Sequence, residues 1–162
     1  MLLLLPVAIL ILAIVIVVGI GFILPVRHEA SLEMSFHMPA SELYRSVRGF
    51  GEYPTWRRDV KSVQVVSEKE FQETDPHGRQ IRYGIQSESP GRFLSTKILN
   101  TDLPFGGGWD YEFTEKGRET VLRITEHGEV YNPIFRFVSR FIFGHTRTME
   151  IYVADLKKKV EK

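Results

Sequence analysis

Hydrophobic and polar residues follow two kinds of pattern along the chain after residue 26, and these patterns predict the first elements of a domain. Between residues 31 and 38 every second residue is apolar, which is typical of a strand with one buried face. Residues 40–47 fit a short helix, because their apolar positions fall on one side. Glycine and proline then break the helix, and a second helical turn is predicted at residues 52–56.

Six further strands are predicted between these helices and the C-terminal segment. Turn sequences rich in proline and glycine separate them, at residues 75–78 and 89–91 for example. Residues 103–108 are predicted as a loop, because proline and three successive glycines suit a flexible backbone, which is also compatible with a lid over a cavity. Strands joined by tight turns favour an antiparallel meander and an α+β class. The predicted strands are 60–67, 68–74, 79–88, 92–101, 109–114 and 119–131.

Residues 132–160 are predicted to form one long helix that the rest of the domain must cover. Asn132 suits its N-cap and Pro133 its first turn, where a missing N–H costs nothing. Lys157, Lys158, Lys159 and Lys162 lie at its end, where cations favour the helix dipole. Spacings of three and four define one apolar stripe: Ile134, Val138, Phe141, His145, Met149, Tyr152, Leu156 and Val160.

The N-terminal segment differs from the rest of the chain, because residues 1–26 carry no charged side chain. The apolar run at 2–24 would span ~35 Å as a helix, which is enough for the hydrocarbon core of a bilayer. A cleaved signal peptide is the alternative, although no basic residue precedes the run and no clear cleavage signature follows it. We therefore predict a transmembrane anchor at 1–26 and one domain at 27–162.

Charge and composition narrow the function classes. The formal net charge is +1, with 21 basic and 20 acidic residues, which gives no support for nucleic-acid binding. The chain has no cysteine, so disulfides and thiolate metal sites are excluded. Arg27, Arg45 and Arg48 follow the anchor, and positive flanks tend to stay in the cytoplasm. We expect a single-pass protein of the cell membrane whose domain faces the cytosol.

Several short motifs resemble a known superfamily. Residues 39–43 (Pro-Ala-Ser-Glu-Leu) and 53–56 (Tyr-Pro-Thr-Trp), followed by Val60, are similar to the opening of the START-like superfamily, also called SRPBCC or Bet v 1-like. The nearest group is the polyketide cyclase/dehydrase type. Residues 143–144 and 149–157 are similar to the terminal helix of that group.

The resemblance covers about residues 27–162 and implies a helix-grip fold. In that fold a curved antiparallel sheet wraps around a long C-terminal helix, with an apolar cavity between them. Members bind lipids, sterols, polyketides and other apolar molecules, and only some of them catalyse a reaction. The N-terminal anchor departs from the usual soluble form of the family.

An aromatic strand face is the first candidate site. Trp109, Tyr111 and Phe113 alternate with polar residues, and Tyr83 and Ile85 occupy one face of an earlier strand. Such side chains line the pockets that bind small apolar ligands, but they also fill ordinary cores. Both interpretations stay open at the level of sequence.

Two titratable residues are candidates for contact with a polar group. Glu126 shares a strand face with Leu122 and Ile124, where a carboxylate is costly unless it is paired. His145 lies on the apolar stripe of the predicted helix. The alternatives are a solvated or Arg-paired Glu126 and a hydrogen-bonded core His145. From the same helix we expect Phe141, Met149 and Tyr152 to line a pocket.

The first half of the predicted helix carries apolar residues on several sides. Such a helix is either deeply buried or in contact with a membrane. Contact with the bilayer and burial under the loops of the cavity mouth are both compatible with the pattern. The residues concerned are Phe135, Phe137, Ile142 and Phe143, alongside Arg136 and Arg140.

The sequence favours a membrane-tethered, non-enzymatic binding domain for an apolar, lipid-like small molecule. No metal is expected, because the histidines lack the spacing of zinc ligands. No cofactor is expected either, since the chain has no motif for a catalytic nucleophile and its glycine run lacks the lysine of a P-loop. The alternative is an enzyme of the cyclase or hydratase kind that uses Glu126 and His145 as acid and base. A third class, a structural module with a filled core, predicts no cavity.

Overall fold

A seven-stranded antiparallel sheet forms the centre of the computed structural model, which describes residues 4–161. The strands are β1 (Arg27–Phe36), β2 (Ser62–Val65), β3 (Glu70–Thr74), β4 (Gln80–Ser89), β5 (Phe93–Ile98), β6 (Phe105–Lys116) and β7 (Glu119–Val130). Their order is β1-β7-β6-β5-β4-β3-β2, so β2 to β7 form a meander and β1 pairs with its last strand. The predicted α+β class is confirmed.

The inward faces of the strands are those that their alternation predicts. Exposed and less exposed residues alternate along β1 and end at the buried Phe36. Leu122 and Ile124 of β7 are fully buried, and Tyr111 and Phe113 of β6 are nearly so. These residues belong to one hydrophobic core on the concave side of the curved sheet.

Three helical elements cover the concave face. α2 (Ala40–Arg48) and a 3-10 helix (Phe50–Thr55) follow β1, close to the predicted bounds. The C-terminal helix (Arg147–Val160) buries Met149, Tyr152 and Leu156 against the sheet. The arrangement is the helix-grip fold, with the sheet wrapped around a C-terminal helix.

The segment predicted as one helix at 132–160 is interrupted in the structure. It forms α3 (Pro133–Val138), a π-helical turn (Ser139–Phe143) and, after a break, the C-terminal helix α4 (Arg147–Val160). At the break Gly144 has a φ of +72° and a ψ of 165°, a non-helical conformation that essentially only glycine adopts. Periodicity alone does not reveal this break, because the spacing of apolar residues continues across it.

The start of the interrupted segment is as predicted. The Oδ1 atom of Asn132 accepts hydrogen bonds from the backbone N–H groups of Ile134 and Phe135, at 2.9 and 3.2 Å. This is an N-cap, and Pro133 follows it in the first turn. Lys157, Lys158 and Lys159 lie in the last turn of α4, whereas Lys162 is outside the described residues.

The predicted glycine loop at 103–108 is wrong for residues 105–108. Phe105 to Gly108 belong to β6 and pair with β7, so they form no lid. A Cβ atom at Gly107 would lie 1.9 Å from the carbonyl oxygen of His127, and the φ of Gly107 is +108°. Glycine therefore permits a close approach of β6 to β7 in a backbone conformation that other residues rarely adopt.

The N-terminal helix α1 (Leu4–Ile23) is long and apolar enough to cross a membrane. Leu24, Pro25 and Val26 connect the last residue of α1 to the first residue of β1. The connection is thus shorter than the predicted linker, which extended to about Ala30. The sheet begins directly beside the end of the apolar helix.

Candidate functional site

A cleft of about 620 Å³ lies between the concave face of the sheet and the helical layer. Its walls come from β3, β4, β5, β6 and β7, from the 3-10 helix and its following loop, and from the first turn of α4. The volume is within the range of ~300–1,000 Å³ that small-molecule sites occupy. The interior between sheet and helices is therefore not filled by side chains.

Aromatic rings form one wall of the cleft. Trp109 and Tyr111 from β6 border it together with Tyr83 from β4 and Phe71 from β3. Tyr83 stacks on Phe71 with 5.1 Å between the ring centroids, and Trp109 lies 6.0 Å from Tyr111. Of the predicted aromatic face, Tyr83, Trp109 and Tyr111 thus combine packing with exposure to the cleft.

The other aromatic and apolar candidates do not border the cleft. Ile85 and Phe113 are buried in the core, where Phe113 packs edge-on against Tyr44. Met149 is fully buried on α4. Tyr152 is also buried, but its ring supports the wall from behind, 5.5 Å from the ring of Trp109.

The interruption of the C-terminal segment moves Phe141 and His145 away from the cleft. The π-helical turn and Gly144 change the direction of the chain, so the stripe predicted for a continuous helix does not persist. Phe141 is 60% exposed. His145 stacks on the imidazole of His28, with 3.8 Å between the ring centroids.

Glu126 is held by two partners at one end of the cleft. Its Oε1 atom lies 3.1 Å from Nε2 of His28, and its Oε2 atom accepts a hydrogen bond of 2.9 Å from Nε1 of Trp109. Only 19% of the Glu126 side chain and 15% of the His28 side chain are exposed. Glu126 is therefore neither solvated nor paired with an arginine, and it faces the cleft.

His28 is a site residue that the sequence-based prediction missed. The strand was predicted to begin at residue 31, so His28 lay outside it. In β1, His28 points to the same side as the inward Ala30 and Leu32, because alternate residues of a strand share a face. Opposite it in β7 lies Gly128, where a Cβ would be 2.2 Å from the imidazole. The absent side chain leaves the space through which His28 reaches Glu126.

A buried ion pair forms a second polar site in the cleft, on the side of β3. Nη1 of Arg57 lies 2.8 Å from Oε1 of Glu73, and the side chains are 10% and 9% exposed. Two further hydrogen bonds join Arg57 to Asp59. Burial opposes the charge, but Glu73 and Asp59 raise the pKa of Arg57 well above its usual value. The guanidinium is a fixed positive charge in the cleft.

The sequence contained a partial signal for this pair. Glu73 has the same parity in β3 as the buried Phe71, so it belongs to the inward face. Arg57 lies in a loop, where no periodicity indicates direction. Its guanidinium carbon lies 4.7 Å from the ring centroid of Tyr53 and 5.3 Å from that of Tyr152, so aromatic faces also stabilise it.

The phenol of Tyr83 remains a hydrogen-bond donor in the cleft. Burial, and after it the carboxylate of Glu73, raise the pKa of Tyr83. A protonated phenol, a permanent guanidinium and the Glu126–His28 pair give the cleft polar groups among its aromatic walls. Among residues 4–161 no group of three His, Asp or Glu side chains is placed to hold a metal ion.

The cleft is open at the end of the sheet beside α1, which we call the α1 end. β1, β4 and β6 begin there and β3 and β7 finish there, because neighbouring strands are antiparallel. The exposed residues of the lining all lie at this end: Pro76, His77 and Arg79 in the β3–β4 turn, and Thr148 in the first turn of α4.

Comparisons with known proteins identify the fold. A scan of family models found no match, and no curated protein matched the sequence. Solved structures do match in three dimensions. A START superfamily protein from Mycobacterium smegmatis has a TM-score of 0.69 and 15% identity, covering 83% of this chain and 97% of that one.

Two further solved structures carry names of enzymes or of biosynthetic proteins. Norcoclaurine synthase from Thalictrum flavum has a TM-score of 0.66 at 11% identity, over 84% of this chain and 95% of its own. The di-domain ARO/CYC protein BexL has a TM-score of 0.69 at 14% identity, over 83% of this chain and 46% of its own. At such identities the likeness shows the fold alone, which is START-like or Bet v 1-like.

Proposed function

We propose that this protein is a membrane-tethered binding domain for an apolar, lipid-like small molecule with a polar group. The observation that supports it is the cleft of about 620 Å³, with aromatic walls, polar groups on two sides and an opening beside α1. Burial of apolar ligand surface at about 25 cal/mol per Å² supplies most of the affinity. A module with a filled core is disfavoured, because the cleft exceeds the ~30 Å³ of a water many-fold.

Two polar groups on opposite sides of the cleft limit the orientations of a ligand. Arg57 keeps its charge and is held on the β3 side of the cleft by the buried Glu73. Glu126 and His28 lie on the opposite side, on β7 and β1. A ligand hydroxyl or carboxylate binds at one of these two sites, and its apolar body contacts Trp109 and Tyr83.

The short connection to α1 supports exchange of the ligand with a bilayer. With only Leu24, Pro25 and Val26 between helix and sheet, the open end of the cleft stays close to the membrane surface. A molecule that partitions into lipid then crosses little water on its way into the cleft. The domain faces the cytosol in this proposal, because Arg27 and the other early cations follow the anchor.

Mass spectrometry of the purified full-length protein tests the proposal. We expect an apolar molecule above background in organic extracts of the detergent-solubilised protein. Ile81→Trp fills the cleft, because Ile81 lines it, and we expect at least several-fold less ligand in this variant. Gln80→Trp adds the same bulk to an exposed neighbour on the opposite face of β4 and is the matched control. Empty wild-type protein, or equal loading of both variants, would contradict the proposal.

An enzyme of the cyclase or hydratase kind is the second candidate, and the pair Glu126–His28 favours it. Both groups face the cleft at 3.1 Å from each other, as an acid and a base would. His145 does not border the cleft, so it leaves this role to His28. In an enzyme, Glu126→Gln changes the recovered molecule from product to substrate. A binding domain returns the same molecule from wild type and variant.

A further inference from the structure

Helix α3 packs along α1 instead of covering the cleft. The two helices are so close that a Cβ at Gly21 would lie 2.1 Å from the carbonyl oxygen of Pro133. The side chain of Ile134 borders an apolar groove with Ala13, Ile14 and Val17 of α1. At about 1.5 Å rise per residue, Ile14 lies about 10 Å along α1 from Gly21. α3 therefore lies beside the stretch of α1 that is apolar enough to span a bilayer.

A hydrogen bond joins the two helices at their polar end. Nη1 of Arg136 donates to the carbonyl oxygen of Leu24 at 2.8 Å. Carbonyl groups at a helix C-terminus have no partner within the helix, and in lipid such groups must be satisfied by protein. Arg136 supplies that partner from α3. The contact fixes the end of α1 against the segment that follows the sheet.

The segment from α3 through the π-helical turn is amphipathic, and its polar side chains lie on the side of the hydrogen bond between Arg136 and Leu24. Arg136, Ser139 and Arg140 line a small groove together with Arg27 and His28, on the side of the domain. Four apolar side chains of the segment are about half exposed or more: Ile134 (45%), Phe135 (53%), Phe141 (60%) and Ile142 (65%). Arg136 and Arg140 are the only charged residues between 133 and 143.

This apolar surface is continuous with that of α1. The side chains of α1 are themselves exposed, with Ile14, Val15 and Ile16 at 50–60%. Large exposed apolar patches with a polar rim mark contact surfaces. Because the surface of the segment adjoins that of α1, the same medium must contact both. The occupant that fits both surfaces is lipid, with the two arginines at headgroup level.

We infer that α3 and the π-helical turn are a second membrane-inserted element, which packs on α1 in one leaflet and holds the open end of the cleft against the lipid surface. The inference rests on the membrane tether of the proposed function but not on a bound ligand. The segment runs directly into α4, whose residue Thr148 lines the open end of the cleft. Burial of the segment in the leaflet therefore sets the height of that opening.

Depth measurement by spin labels tests the inference, and the cysteine-free chain allows single labels. The full-length protein in phosphatidylcholine vesicles carries the label at Phe135→Cys or Ile142→Cys. We expect greater collision with oxygen than with a water-soluble nickel chelate at both positions. Val15→Cys in α1 is the lipid reference, and Arg118→Cys in the β6–β7 turn, at the far end of the sheet, is the aqueous reference.

Each other outcome overturns the inference or its premise. Aqueous labels at Phe135 and Ile142 with a lipid-exposed Val15 overturn the inserted segment and leave the tether intact. An aqueous label at Val15 overturns the tether as well. Labels at Phe135 that both reagents fail to reach, with spin–spin broadening, indicate a second copy of the chain on this surface and also overturn it.

A matched pair of glycine substitutions tests the packing of α3 on α1. Gly21→Leu inserts a side chain where Pro133 lies 2.1 Å away, so we expect a shallower label at Phe135. Gly19→Leu adds the same bulk at a position with nothing within 4 Å and should leave the depth unchanged. Equal depths in the two variants would show that the label is not held by contact with α1.

Discussion

His28 and His145 stack face to face, with 3.8 Å between ring centroids and 21° between ring planes. One ring belongs to the first strand and the other to the break before the last helix. The stack therefore joins the beginning of the domain to the segment that leads into α4. The same His28 ring contacts the carboxylate of Glu126 with its Nε2 atom, at 3.1 Å.

This stack predicts a loss of stability in mild acid. Burial, then the neighbouring His28 and Arg140, lower the pKa of His145, against an opposing effect of Glu126. Between its folded pKa and the unfolded value of about 6.5, the native state binds fewer protons than the unfolded state. The free energy of unfolding should therefore fall as the pH drops below about 6.5.

Thermal unfolding of the full chain in detergent from pH 8 to pH 5 measures this effect. His145→Asn should flatten the decrease between pH 7 and pH 5. His77→Asn, at an exposed position of the β3–β4 turn, should retain the wild-type slope. Equal slopes for all three proteins would contradict the prediction.

The Arg57–Glu73 pair predicts strong coupling between two cleft residues. Arg57→Met leaves Glu73 as a buried carboxylate without its main partner, and we expect a loss of about 3–5 kcal/mol in the free energy of unfolding. Arg57→Met combined with Glu73→Gln should recover a large part of that loss. Denaturant unfolding of the three variants gives the coupling energy.

An exposed pair provides the control for this cycle. Arg82 and Glu70 form an ion pair whose side chains are 48% and 35% exposed. Arg82→Met should cost only about 0–1 kcal/mol, because solvent screens the pair. If Arg57→Met lowered the free energy of unfolding no more than Arg82→Met does, the Arg57–Glu73 pair would be more hydrated than the structure indicates.

Asp155 anchors the loop after the 3-10 helix to α4, and its removal should destabilise the fold. Its carboxylate accepts hydrogen bonds from the backbone N–H and from Nε of Arg58, at 3.1 and 3.0 Å, and its side chain is 5% exposed. Asp155→Ala should cost about 1–3 kcal/mol at neutral pH. Glu150→Ala, in an exposed pair with Arg147, is the control.

The acid dependence of this variant has a definite sign. The hydrogen bonds from Arg58 lower the pKa of Asp155 below its usual 3.8. The stabilisation is therefore complete above the unfolded pKa and disappears as the pH falls through the folded pKa. The difference in melting temperature between wild type and Asp155→Ala should shrink below about pH 4. A constant difference would point to lost packing instead of a lost charge.

Gly107 predicts a backbone effect in β6. Gly107→Ala places a Cβ at a φ of +108° and 1.9 Å from the carbonyl oxygen of His127, so we expect a loss of about 1–3 kcal/mol. Gly51→Ala meets its nearest atom at 3.8 Å, an ordinary contact, and should be nearly neutral. Melting temperatures of the two variants make the comparison. A neutral Gly107→Ala would indicate that β6 and β7 approach each other less closely at this position than described.

Local pattern was sufficient to predict much of the sheet and the aromatic wall. The alternation at 31–38 identified the inward face of β1, and the alternation of Trp109, Tyr111 and Phe113 identified that of β6. Successive residues of a strand point to opposite faces, so the inward face follows from the order of apolar and polar residues. The cap at Asn132 depends on its immediate neighbours and was predicted for the same reason.

Contacts between distant segments were not predictable in this way. Glu126 meets His28 only because β1 pairs with β7 in a register that places Ala30 opposite Glu126. Arg57 meets Glu73 because a loop folds over β3. Periodicity carries no information about such pairings. The prediction of one continuous helix failed at Gly144 for a local reason, because the break depends on the backbone conformation of one residue.

The three residues Leu24, Pro25 and Val26 leave the domain almost no freedom to turn relative to α1. A spanning helix tilts when the surrounding bilayer is thinner than its apolar length. In the proposed tethered state, so short a connection turns the tilt of α1 into a tilt of the whole sheet. Lipid thickness then sets the angle at which a ligand passes from the leaflet into the protein.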